Sequence, residues 1–363
     1  MRGSGCGATD SEIRLPPFVI PTSMAVSSFA VGGVSVQLAG ERPADVALVP
    51  SLAPFAVGAY APDIHILIER VARLALTGER HIFDSGSVWR LYADESRFQF
   101  DFSAEVLGAR PYKRLLVDRK FCWATLQINE EIFDDGTWTL SPLDYPLDEL
   151  LIMHRLTQEK AIELHGAGIV QADGVGNLFV GHSEAGKSTT TRLWTAREDV
   201  EVLSDDRIIV RRDEASPCAT DVEGGVGILR LRDRSASPAG YSAPEDNPEK
   251  RIPHRALRPV RNDKKMRMYG TPWHGEAMYA SPNSAPLARI FILEHGSGNV
   301  LTPLSSSQAV AELFARSFVP FHRHEYVESA LAFLQEVVEA VPVYRYAFEP
   351  DQRAVDTILN LHD

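Results

Sequence analysis

The stretch from Asn177 to Trp194, NLFVGHSEAGKSTTTRLW, constrains this chain more than any other. Asn177 to Val180 reads as a short apolar strand. Gly181 to Ser188 fits G-x-x-x-x-G-K-[ST], and Thr189 to Trp194 can run on as a helix. Strand, glycine loop and helix in that order form the setting in which this motif cradles phosphate. Glycines let backbone N–H groups turn inward around an anion. The new helix adds the positive end of its dipole. Lys187 supplies a mobile charge for the outer phosphates of a nucleotide, and Ser188 a hydroxyl for magnesium. Gly181, His182, Ser183, Glu184, Ala185, Gly186, Lys187, Ser188 and Thr189 are therefore the expected nucleotide-binding residues.

At 363 residues the chain suits two domains. Its formal charge of −12 argues against a general nucleic-acid binder. Cys6, Cys122 and Cys218 are far apart and lack C-x-x-C spacing, which argues against a disulfide framework and against zinc. A reducing cytoplasm is the simplest setting. Pro16 to Gly40 carries no charge but contains Pro, Gly and several Ser, and its end alternates. It reads as β structure rather than as a membrane or signal segment.

In chain order, residues 1–45 read as a partly flexible segment. Residues 46–145 read as a β-rich domain, with alternation clearest in Asp63 to Ile68 and Arg97 to Phe102. Aromatic and β-branched residues there suggest a curved sheet with one buried face. Pro142 to Pro146 marks the junction. Leu147 to Lys160 has helical spacing and is expected to pack under the sheet that follows. Residues 146–363 then form the second domain. In it, Leu164 to Val170 and Asn177 to Gly181 flank an Asp-Gly turn. The strand before the phosphate loop is thus the second arm of a hairpin, unlike the βαβ entry of most P-loop proteins. Asp205 and Asp206 sit between two apolar strand segments and are expected at a strand end or bend. Residues 214–265, rich in Pro, Arg, Asp and Ser, read as an inserted loop. The turn Tyr269 to Glu276 presents Trp273, His274 and Glu276, side chains useful beside a phosphate or a magnesium ion.

Taken together, these residues resemble the HPr kinase/phosphorylase-like superfamily, whose fold is related to phosphoenolpyruvate carboxykinase. The match is a set in order over roughly residues 140–360: His165, the hairpin into Gly181 to Ser188, a helix, Ser204-Asp205-Asp206, and Gly270 to Glu276. The likeness is to HPr-kinase-related proteins with a β-rich N-terminal half rather than to HPr kinase proper. It implies a carboxykinase-type P-loop domain of mixed sheet flanked by helices. It implies that Lys187 and the loop amides bind the β- and γ-phosphates of ATP, and that Ser188 and Asp206 hold Mg2+. Glu276 would complete the metal or acceptor shell. Asp205 would take the proton from an acceptor hydroxyl, His165 would lie near the transferred phosphate, and Trp273 and His274 would face the substrate. Two departures stand out. Glu184 occupies a position where glycine is common, and the N-terminal half does not look like that of HPr kinase.

The expectation is a Mg-assisted, ATP-dependent kinase acting on a serine-type hydroxyl of a protein, peptide or small molecule. Such transfer is mostly positioning plus charge neutralisation. A nucleotide-sensing module without transfer activity and a carboxykinase-like enzyme on a small acid are the alternatives. Neither nucleic acid nor membrane is expected as a partner, and association into a homo-oligomer is left open.

Overall fold

A computed structural model describes residues 21–58, 61–78, 80–133, 141–196, 200–212 and 266–361. Residues 1–20 and the expected insertion at 214–265 lie outside the described residues. The chain is a mixed α/β protein built on two sheets.

The first sheet comprises β1 (Ala25–Val31), β2 (Val34–Gly40), β3 (Ile64–Val71), β4 (Phe83–Asp84), β5 (Trp89–Ala93), β6 (Arg97–Phe102), β7 (Lys113–Asp118) and β8 (Trp123–Asn129). Their spatial order is β1-β2-β3-β8-β7-β6-β5-β4. Period-two alternation has its expected effect here. Phe98, Phe100 and Phe102 of β6 are all buried, as are Ile64, Ile66 and Ile68 of β3. Each such side chain contributes about 1.5–3 kcal/mol on burial. The sheet begins at Ala25, so β1 and β2 bear out the β reading of Pro16 to Gly40 and correct the reading of residues 1–45 as partly flexible over this stretch. The two are joined by Gly32 and Gly33, with φ of 59° and 77°, and this glycine pair sets the hairpin turn. It also lets the hairpin lie against the second sheet, where Arg211 Nη1 donates to Gly32 O at 3.0 Å. A Cβ on Gly32 would stand 2.5 Å from Ile209.

A short helix α1 (Glu130–Phe133) follows, and then α2 (Leu147–Leu156). Leu147, Leu150, Leu151 and Ile152 of α2 lie in the core of the first sheet. The helix packs under the second sheet as expected, against β9, and it also meets the first, because the core that takes its leucines holds Ala161, Ile209 and Trp273 together with side chains of the first sheet. Nine of its ten residues are buried, including Asp148, Glu149, His154 and Arg155.

The second sheet contains β9 (Ala161–Val170), β10 (Gly176–Val180), β11 (Glu201–Ser204), β12 (Arg207–Arg212), β13 (Met266–Tyr269), β14 (Ser284–His295), β15 (Val300–Pro303), β16 (Ser317–Phe318) and β17 (Val343–Phe348). β9 and β10 form the expected antiparallel hairpin, from Gly176↔Val170 to Val180↔Gly166. β12 and β13 pair antiparallel across the undescribed segment. β10, β14 and β17 run parallel. The long strand β9 pairs with β12 in its first half and with β10 in its second, so its middle residue, His165, sits where the two halves of the sheet diverge. Helices α3 (Lys187–Thr195) and α6 (Gln352–Leu359) cover one face through Trp194, Val355 and Ile358. Helices α4 (Ser306–Phe314) and α5 (His324–Ala340) cover the other through Leu313, Phe333 and Leu334. Among the described residues no helix is long and apolar enough to cross a membrane.

Candidate active site

The glycine loop expected to bind phosphate sits between β10 and α3, as its sequence requires. Gly186 caps the helix at φ 100°, and a Cβ there would stand 2.6 Å from the Phe348 ring. No side chain caps the N-terminus of α3, so its first-turn amides point into the loop without a competing acceptor. Lys187 is buried and folds back over the loop, donating from Nζ to the carbonyls of Gly181 (3.1 Å) and His182 (3.0 Å). An ammonium has three donors, and one is left for an anion. Burial lowers the pKa of this lysine, and Arg207 and Arg316 add like charge, against the opposing pull of Asp206. Bound phosphate would relieve that repulsion. Glu184 holds a left-handed φ of 68°, and its carbonyl accepts from His295 Nε2 at 2.7 Å. His182, Ser183, Glu184 and Ser188 are exposed.

His165 is the meeting point of the segments around this loop. Its carbonyl accepts from Gly181 N (3.4 Å), and its N–H donates to Arg316 O (2.8 Å). The neighbouring Gly166 N donates to Asp206 O (3.0 Å). Side chains repeat the pattern: His165 Nε2 lies 2.9 Å from Asp206 Oδ1, and Asp206 Oδ2 is bonded to Arg207 Nη1. Burial would raise the Asp206 carboxyl, but the His165 hydrogen bond and the Arg207 charge outweigh it and hold its pKa below the usual range. The carboxylate can only accept, so the proton of neutral His165 is on Nε2, and Nδ1 carries the lone pair.

The two aspartates lie in the bend between β11 and β12, as expected, but in unlike settings. Asp205 is 2% exposed, and its oxygens accept the amides of Gly275 and Ala277, each at 3.0 Å. It is the anchor of the Trp273 to Ala277 turn. Asp206, whose oxygens meet His165 and Arg207, is the more exposed of the two, at 26% of its side chain. Trp273 does not face a substrate. It is buried in the core of the first sheet, and its indole N–H donates to Asp148 Oδ2 at 2.9 Å. A buried indole must find such an acceptor. His274 is half-buried, with Nδ1 at 3.1 Å from Gly275 O.

Glu276 is exposed. Among the described residues no three His, Cys, Asp or Glu side chains converge on a metal site, so Glu276 is not gathered with Asp205 and Asp206. Magnesium does not demand such a cluster, since it binds through one or two carboxylates, waters and substrate phosphates. Ser188, in the first turn of α3, and Asp206, held ionised, are oxygen donors of the kind that fits.

Four side chains of the site carry no motif and escaped the sequence reading. Arg207 Nε donates to Glu149 (2.8 Å) and lies 3.4 Å from Glu163, and its guanidinium stands 4.0 Å from the Phe318 ring centre. Glu163 is fully buried, and burial and then the charge of Glu149 push its pKa well above the usual range. Arg316, anchored by Glu312 at 2.5 Å, is the chief cause of a lowered His182 pKa. Only the position of Arg207, next to the aspartate pair, was a usable signal. A cleft of about 430 Å3 opens elsewhere, beside Lys160, Arg211, Arg212 and Glu336. Its charges are paired, Arg211 with Glu159 and both Lys160 and Arg212 with Glu336, so the loop from Gly181 to Ser188 remains the better-equipped candidate. No protein-family model matches this chain, and no curated protein sequence matches it.

Proposed function

We propose that the chain is an ATP-dependent phosphotransferase of the HPr-kinase-like type, with a carboxykinase-type P-loop, acting on a serine-type hydroxyl of a protein, peptide or small molecule. The observation that carries this reading is the convergence on His165. A hairpin-fed phosphate loop, an ionised aspartate and a histidine oriented by that aspartate meet there. A switch or simple hydrolase has less need of an oriented base.

Lys187 and the first-turn amides of α3 bind and orient the β- and γ-phosphates. Ser188 and Asp206 would hold magnesium, which when bound neutralises phosphate charge. His165, its Nε2–H fixed on Asp206, takes the acceptor's proton at Nδ1, an arrangement that needs no change in the pair's geometry. Asp205 maintains the turn beside them. The reading places the protein in the cytoplasm, with its nucleotide.

Incubation with γ-labelled ATP, magnesium and pools of hydroxyl acceptors tests this. Label transfer that is lost in His165→Asn and Asp206→Asn is expected. A second reading, a nucleotide-sensing module, is favoured by Glu184, whose charge stands within the phosphate loop. Tight nucleotide binding with no transfer to any pool would replace the first reading by the second.

A further inference from the structure

Helix α2 packs between the two sheets, and two consecutive acids in its first turn reach into the site on the second. Asp148 accepts the indole N–H of Trp273, and Trp273 opens the turn whose Gly275 and Ala277 amides are bound to Asp205. Glu149 accepts Arg207 Nε at 2.8 Å, and Arg207 passes a second bond to Asp206. The guanidinium is held at its edge by Glu149 and Glu163 and on its face by Phe318. A planar cation held on edge and face presents its remaining nitrogen in one direction.

We propose that Asp148 and Glu149 are positioning residues through which the first sheet holds both site aspartates: Asp148 through the Trp273 turn to Asp205, and Glu149 through Arg207 to Asp206. The packing explains why α2 can do this. Leu147, Leu150, Leu151 and Ile152 lock it into the first core, and Trp273 is itself buried in that core. That core also takes in Ala161 and Ile209 of the second sheet, so Asp148, Glu149 and Trp273 are held where the two sheets meet. Buried ion networks are a poor source of stability, and burial raises the carboxyls of Asp148 and Glu163. The benefit of this arrangement is placement: a carboxylate misplaced by about 1 Å can cost about a hundredfold in rate. The N-terminal half is thereby a working part of the site.

The activity readout of this inference rests on the proposed kinase reading, and its structural readout does not. Trp273→Phe removes the donor to Asp148 and keeps an aromatic ring in the core. Amide hydrogen exchange at Gly275 and Ala277 is expected to quicken about tenfold or more, with exchange in the β1–β2 hairpin unchanged. Glu149→Ala is expected to lower kcat about tenfold or more while the affinity for a fluorescent ATP analogue stays within about twofold. Glu149→Gln, which keeps an acceptor oxygen at the same reach, is expected to recover most of the rate. Unchanged exchange in Trp273→Phe overturns the inference, as does a Glu149→Ala protein that loses affinity and kcat in proportion or loses neither. Should Glu149→Ala not fold, the exchange experiment decides alone. Should the wild type transfer no phosphate, the proposed function falls, and exchange in Trp273→Phe still decides the positioning.

Discussion

His154 provides a quantitative test of how the two sheets are joined. It lies on α2, stacked on Phe121 at 4.9 Å and edge-on to Phe100 at 5.2 Å, with His322 at 5.2 Å across the interface. Its Nδ1 is 2.6 Å from the Leu150 carbonyl, so that nitrogen carries the proton. Nε2 is buried without a hydrogen-bond partner. Burial, helped by the charge of His322 and opposed by the Leu150 bond, lowers the His154 pKa from 6.5 to about 3. Below pH 6.5 the unfolded chain takes up a proton that the folded chain refuses until about pH 3. Stability from this residue is therefore full above pH 6.5 and falls with pH through that window. Each unit is worth about 1.4 kcal/mol, so the loss between pH 7 and pH 5 is about 2 kcal/mol. His154→Phe keeps the ring stack and abolishes the titration. At pH 7 the lost Leu150 bond and the removed unpartnered nitrogen, each worth about 1 kcal/mol, offset one another. Urea unfolding of both proteins, followed by tryptophan fluorescence at each pH, is the assay. The variant is expected to gain about 2 kcal/mol on the wild type on going from pH 7 to pH 5. A difference that stays constant to within about 0.5 kcal/mol refutes the assignment of a neutral, proton-refusing His154. His322, with its own pKa lowered to about 4 by burial, titrates in both proteins and cancels in the difference.

Two further outcomes concern the phosphate loop. Gly186→Ala forces a left-handed φ on a residue with a Cβ, costing about 1–2 kcal/mol, and drives that Cβ into Phe348; thermal unfolding should show the loss, and nucleotide affinity should fall with it. Glu184→Gly removes both a left-handed side chain and a negative charge beside the phosphates, and calorimetric titration should show nucleotide binding tightened by about 1 kcal/mol, roughly fivefold.

Much of the frame was legible in the residues. The period of two in β3 and β6, the Asp-Gly turn and the glycine loop are local signals, and each specifies its own element. The bend carrying Asp205 and Asp206 was legible for the same reason, since neighbouring residues on a strand cannot share a face. The first sheet's start was legible in part: the β reading of Pro16 to Gly40 matches β1 and β2, against the looser reading of residues 1–45 as a partly flexible segment. Trp273 beside His274 and Glu276 read as a site residue. Its burial depends on Asp148, 125 residues away, and no local pattern encodes such a pairing.

The sequence by itself determined the glycine loop between strand and helix, the hairpin that feeds it and the alternation that builds the first sheet, because these depend on backbone preferences and side-chain periodicity within a few residues. Only the tertiary structure decided which aspartate is buried and which is partly exposed, where Arg207 points, and that α2 serves both sheets. A carboxylate's role follows from which donors surround it and how much water reaches it, and for Asp205 and Asp206 those donors come from other segments of the chain.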